Sequence, residues 1–234
     1  MKKLVKSALA AAVMGAALLG TSANAAIAIA KDYSNVVSIP GLTGFATTGA
    51  MMDGLDVTVF FANGTSQTLN WADTGPASGG VTGSGWSLTQ SGDTFSNEWF
   101  FNFFGTPVSG LVKLVLDGRD NFTVFDATRP STGTPGSAQG ADFEIVSPWS
   151  ADYWIGTATY DYAVAIGNAA PVGDLFQRLT INFTNPVVTK DFKFIQDTDN
   201  DQRANEVPEP GSIALMGLAL AALGASVRRR ARQA

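Results

Sequence analysis

The sequence predicts an all-β domain, an antiparallel β-sandwich of jelly-roll type, and three observations carry that reading. Between Val36 and Gln196 the chain is a series of short extended segments with no long stretch at helical period. Gly, Pro, Asn, Asp and Ser fall between those segments, where tight turns need them. Several segments alternate apolar and polar residues, the period-two pattern of a strand buried on one face. About eleven such strands in a single domain point to two packed sheets.

Taken in order, the predicted strands cover residues 36–39, 55–61, 67–71, 85–90, 94–104, 111–116, 122–125, 143–146, 155–166, 178–183 and 191–196. Leu55, Val57, Val59 and Phe61 share one face with Asp56 and Thr58 opposite, and Leu179, Ile181 and Phe183 do the same against Arg178, Thr180 and Asn182. Both segments are expected to be half-buried. From Trp99 to Phe104 apolar side chains occupy both faces, which fits a covered central strand or an aromatic surface. Asn63-Gly64, Gly79-Gly80, Gly92-Asp93 and Asp117-Gly118 supply the positive-φ tolerance that hairpin turns require. Residues 129–140 are rich in Gly, Pro, Ser and Thr and read as a loop.

Composition narrows the chemistry. The chain has neither cysteine nor histidine, so disulfides, thiolate nucleophiles, Ser-His-Asp machinery and His-based metal sites are excluded. From Ala26 to Val207 there are 8 Lys/Arg against 19 Asp/Glu, a formal charge of −11, whereas the whole chain carries −5. So acidic a body repels nucleic acid, and suits cations or neutral glycans as partners.

The basic residues cluster at the two ends. Lys2, Lys3 and Lys6 precede an apolar stretch from Ala8 to Leu19, and Ala23-Asn24-Ala25 forms a small-x-small cleavage pattern. Residues 1–25 are therefore expected to be a signal peptide cut by signal peptidase after Ala25. The domain that follows spans residues 26–206. At the other end, Val207-Pro208-Glu209-Pro210 leads into a 15-residue apolar run from Ile213 to Val227, closed by Arg228, Arg229, Arg230 and Arg232. As a helix that run spans roughly 22 Å, short of the ~30 Å hydrocarbon core. The arginines resist translocation and act as a membrane stop with the body outside.

The order of motif, short apolar helix and Arg cluster over residues 207–234 resembles the PEP-CTERM sorting signal of exopolysaccharide-producing Gram-negative bacteria. The resemblance implies recognition and cleavage by an exosortase, a transient inner-membrane intermediate, and delivery to the cell surface or biofilm matrix. It is silent on the body. The segment from Val124 to Gly140 is similar to one in other PEP-CTERM proteins and carries no known chemistry.

The body offers residues for three kinds of site. Asp197, Asp199 and Asp201 alternate after the last predicted strand, and a curled loop there offers several of the six to eight oxygens that calcium needs. The competing reading is a solvated acidic linker, and an EF-hand is excluded because Gln202 and Pro208 replace its glycine and glutamate. Trp149, Tyr153 and Trp154 flank a turn-like stretch and could stack on a sugar; Tyr160 and Tyr162 share parity with Val164 and Ile166 and are expected in the core. Glu98, Glu144, Asp152 and Asp161 lie beside aromatics, but no pair stands out as the facing carboxylates of a glycosidase. The expected function is a structural or adhesive exported protein without catalytic residues and without a cofactor apart from calcium. A carbohydrate-binding module for exopolysaccharide is the alternative, and a carboxylate-based glycan-active enzyme the third reading.

Overall fold

The computed structural model describes residues 28–42, 47–104, 109–121, 123–127, 140–147, 155–167, 169–187 and 191–200. These residues form β1 (Ala28–Lys31), β2 (Val36–Ser38), β3 (Asp56–Phe61), β4 (Ser66–Asn70), β5 (Ala72–Gly75), β6 (Ser78–Thr82), β7 (Trp86–Ser91) and β8 (Trp99–Phe103). They continue with β9 (Leu111–Asp117), β10 (Thr123–Asp126), β11 (Glu144–Ser147), β12 (Ile155–Ala165), β13 (Pro171–Val187), β14 (Phe192–Ile195) and β15 (Asp197–Asn200). One short 3₁₀ turn, Gly49–Met52, precedes β3. The signal segment and the sorting tail lie outside the described residues. Among the described residues no helix is long and apolar enough to cross a membrane.

A nine-stranded sheet has the order β1-β12-β13-β9-β3-β4, with β2 also on β12 and β10 joining β13 to β15. A six-stranded sheet has the order β11-β14-β8-β7-β6-β5. Both contribute to one core: Val57, Leu114 and Ile181 from the first meet Trp86, Leu88, Phe101 and Phe194 from the second. Trp99 and Phe101 stack on Phe194 and Phe192 at 5.6 and 5.0 Å, geometry that adds to simple area burial. The alternation read in the sequence holds here. Leu55, Val57, Val59, Leu179, Ile181 and Phe183 are buried, while Asp56, Thr58, Arg178, Thr180 and Asn182 on the opposite face are not fully so.

Several expectations are corrected. The sheets are not purely antiparallel, because β1 and β2 both run parallel to β12. A single N-terminal strap follows β12 in one direction, which no hairpin could arrange. Residues 93–98 turn before β8 begins at Trp99; the Asp93 carboxylate accepts from the Phe95 amide and Ser96 hydroxyl and holds that turn. Gly79 and Gly80 lie inside β6 rather than in a turn. A Cβ on Gly79 would sit 2.2 Å from both Gly49 O and Trp71 Nε1, so glycine is there for close approach. In the segment from Trp99 to Phe104, Trp99 and Phe101 enter the core, whereas Phe100 and Phe103 are half-buried and Phe104 is exposed.

β13 begins at Pro171, seven residues before the predicted start. Its first half is covered on both sides: Phe176 faces the main core, and Leu175 a smaller cluster with Ile39, Leu42, Val124 and Val164. Burial on both faces erases alternation, which is why the sequence did not mark it.

Candidate functional site

Register brings the polar positions of five strands into one row on the face of the nine-stranded sheet opposite the core. Asp161 on β12 pairs with Arg178 on β13, Arg178 with Asp117 on β9, Asp117 with Asp56 on β3, and Asp56 with Asn70 on β4. The contacts are close. Arg178 donates from Nε and Nη2 to both Asp161 oxygens, each at 2.8 Å; Arg119 grips Asp117 the same way at 2.8 and 2.7 Å; and Asn70 donates to Asp56. Such two-point pairs fix geometry as well as charge. Burial opposes the charge on Arg178, but its bonds to Asp161 hold its pKa above the ordinary value, and Arg119 is raised by Asp117. Burial, with Asp120 and Asp117 nearby, pushes Asp56 up.

Tyr162 sits beside this row and breaks an expectation. Parity places it in the core with Tyr160, yet its φ is 57°, in the left-handed region that costs a non-glycine residue roughly 1 kcal/mol or more. That residue resets the alternation of β12. Tyr160 and Ala163 face the main core, Val164 faces the smaller one, and the Tyr162 ring lies between Arg119 and Arg178 at 4.2 and 4.5 Å. Cation–π attraction to two guanidiniums offsets part of the strain. Alternation marked Asp56 and Arg178 as outward-facing; only register, which the sequence does not encode locally, lines them up.

The calcium candidates are placed differently from expectation. Asp197 to Asn200 is a strand paired antiparallel with β10, not a curled loop or solvated linker. Asp197 and Asp199 are buried, as is Asp126, the register partner of Asp197. Asp201 lies outside the described residues. Thr94 Oγ1 donates to Asp197 Oδ1 at 3.0 Å and accepts from the Thr198 amide at 3.0 Å. Burial and the neighbouring Asp199 carboxylate push Asp197 up to about 8, against the lowering effect of Thr94. Among the described residues no three carboxylates converge in metal-binding geometry. A polar chain continues from here: Tyr160 accepts from the Phe143 amide and donates to Gln196, whose side-chain amide donates to Asp197 O at 2.7 Å.

Trp149, Tyr153 and Trp154 lie outside the described residues, as do Asp152 and the whole sorting segment. Glu98 pairs with Lys193 at 2.7 Å, Asp161 is taken up by Arg178, and Glu144 is exposed on β11. Residues 206–230 match the family model of the PEP-CTERM protein-sorting motif, a stretch that contains Val207, Pro208, Glu209, Pro210 and Arg228 to Arg230. No curated protein and no solved structure matches the chain. The chain carries this motif, which implies an exported protein sorted by an exosortase.

Proposed function

We propose, from the premise of a PEP-CTERM-tagged chain, that the body is a non-catalytic, jelly-roll-like sandwich delivered to the cell surface or extracellular matrix in a structural or adhesive role. The sorting motif is the observation that carries this reading. The body supports it: the outward charges of the central row are already bound to one another, as in a scaffold, and the core is closed by packing without cysteines. A short apolar run followed by Arg228, Arg229, Arg230 and Arg232 holds the chain at the inner membrane with Pro208-Glu209-Pro210 near the outer boundary, within reach of a membrane-embedded enzyme.

The test is the intact mass of the protein released by its native host. The expected species lacks residues 1–25 and 212–234, and replacing Pro208, Glu209 and Pro210 with Ala leaves an uncut form in the inner-membrane fraction. Recovery of a released species that retains Arg228 to Arg232 would overturn exosortase processing and make the segment a plain anchor.

A further inference from the structure

We infer that the sandwich binds one neutral sugar residue in a cleft of about 240 Å³ between the β3–β4 and β6–β7 turns. The inference deepens the exported, adhesive reading above and rests on it for the source of the sugar. Both turns are built by glycine. The β3–β4 loop closes through Phe61 N to Thr65 O at 2.9 Å with Gly64 at φ 82°, and the β6–β7 turn through Gly83 N to Trp86 O at 2.8 Å with Gly85 at φ 83°. These positive angles suit glycine in tight hairpins.

Gln67 bridges the two sheets at the cleft wall. Its Oε1 accepts from the Ser84 amide at 3.1 Å and from Trp86 Nε1 at 2.7 Å. A Cβ on Gly83 would lie 2.4 Å from that oxygen, so glycine is needed for the bridge. Both partners are pure donors, which identifies the oxygen and leaves Nε2 as the other end of the amide. Asn63 is fixed in the same way, its Oδ1 accepting from the Thr65 amide at 3.1 Å and the Thr65 hydroxyl at 2.7 Å. Neither NH₂ group engages a protein acceptor among the described residues. Two lining residues therefore have their amide oxygens anchored and their NH₂ groups left to a ligand.

The other lining groups complete a sugar's requirements. Phe61 and Phe103, both half-buried, offer ring surface to an apolar C–H face, and Ser66, Ser84 and Ser109 offer hydroxyls to its rim. Among the described residues no ionisable side chain lines the cleft, and the body carries a formal −11, so an anionic ligand is disfavoured. The volume falls below the ~300–1,000 Å³ typical of drug-sized pockets and suits a single ring of a longer chain. The polar row is the contrasting case, since its donors and acceptors are used on one another.

The experiment uses the full chain, ¹⁵N-labelled in a sugar-free detergent, with the side-chain NH₂ signals followed by NMR. Methyl glycosides of glucose, galactose, mannose and N-acetylglucosamine are titrated to about 10 mM, ten times a Kd on the order of 1 mM. Glycerol and sodium glucuronate are run beside them. At least one neutral glycoside is expected to shift the NH₂ pairs of Asn63 and Gln67, which the variants N63D and Q67E identify by their loss. The double variant N63D/Q67E keeps every internal bond, because a carboxylate accepts from the same donors, and is expected to weaken binding at least tenfold. If the double variant does not fold, N63D alone, on an exposed turn, is expected to weaken binding as well. No shift with any glycoside, a shift that survives these variants, or an equal response to glycerol or glucuronate would overturn the site. Because the titration does not depend on the tail, a correctly cut and released chain that ignores every glycoside would refute the sugar site alone.

Discussion

Asp161 and Asp197 are carboxylates of the same nine-stranded sheet, both largely withdrawn from water, and they are neutralised by opposite means. Asp161 has a guanidinium opposite it in register, bound at two points. Asp197 faces Asp126 in register and has Asp199 close by, with a threonine hydroxyl as its donor. One is compensated by a fixed charge and the other by retaining its own proton. The retained proton ties the contribution of Asp197 to pH, which a contact map alone would not reveal.

The largest effect is expected at the first of them. Arg178→Met leaves Asp161 charged and poorly solvated, and should cost about 2–4 kcal/mol at neutral pH, measured by urea denaturation, with part of the loss recovered in D161N/R178M. An unchanged midpoint would show that the pair contributes nothing net. Next, Thr94→Val removes the hydroxyl that serves Asp197 and the Thr198 amide, and should cost about 1–3 kcal/mol. Losing that donor also removes the one interaction that lowers the Asp197 pKa.

For Asp197 itself the folded pKa of about 8 lies above the ordinary value of 3.8. The native state then holds a proton that the unfolded chain releases, so this contribution to stability is complete below about pH 4 and is lost as pH rises through about 8. Asp197→Asn should flatten that decline and leave the variant more stable than wild type at pH 8 by about 1 kcal/mol or more. Thermal melts from pH 4 to pH 8.5 decide it, and parallel slopes would refute the protonated state. Millimolar calcium that stabilises the wild type and not the variant at pH 8 would replace the proton with a metal ion. The smallest effect belongs to Arg119→Ala, where an exposed pair and a ring contact should together cost less than about 1 kcal/mol.

Sheet content was legible wherever one face is wet. Asp56, Thr58 and Arg178 alternate with core residues because solvent covers one side, and Asn63-Gly64 marks its turn because only glycine accepts the required angle cheaply. The reading failed where tertiary contacts overrule local chemistry. Three of the four residues from Asp197 to Asn200 are of types depleted in strands, and the segment extends because β10 supplies its ladder. Gly79 looks like a turn until Trp71 and Gly49 are seen packed against it. Tyr162 obeyed its parity on paper, and a single reversed backbone angle between two arginines moved it out of the core. The Gln67 bridge joins two hairpins through a side chain, a link that no local pattern announces.

The N-terminal strap bears on the timing of folding. Ala28 to Lys31 lie against Thr157 to Tyr160, more than half the chain away. The strap then continues through Asp32 N to Tyr160 O, Ala163 N to Asn35 O and Ile39 N to Ala165 O. Contacts so distant in sequence form slowly, since a long loop must close before any of them is made. For a polypeptide crossing a membrane N-terminus first, the leading strand finds no partner until residue 157 has followed it through. The topology thus leaves the strap unpaired until β12 is available to receive it.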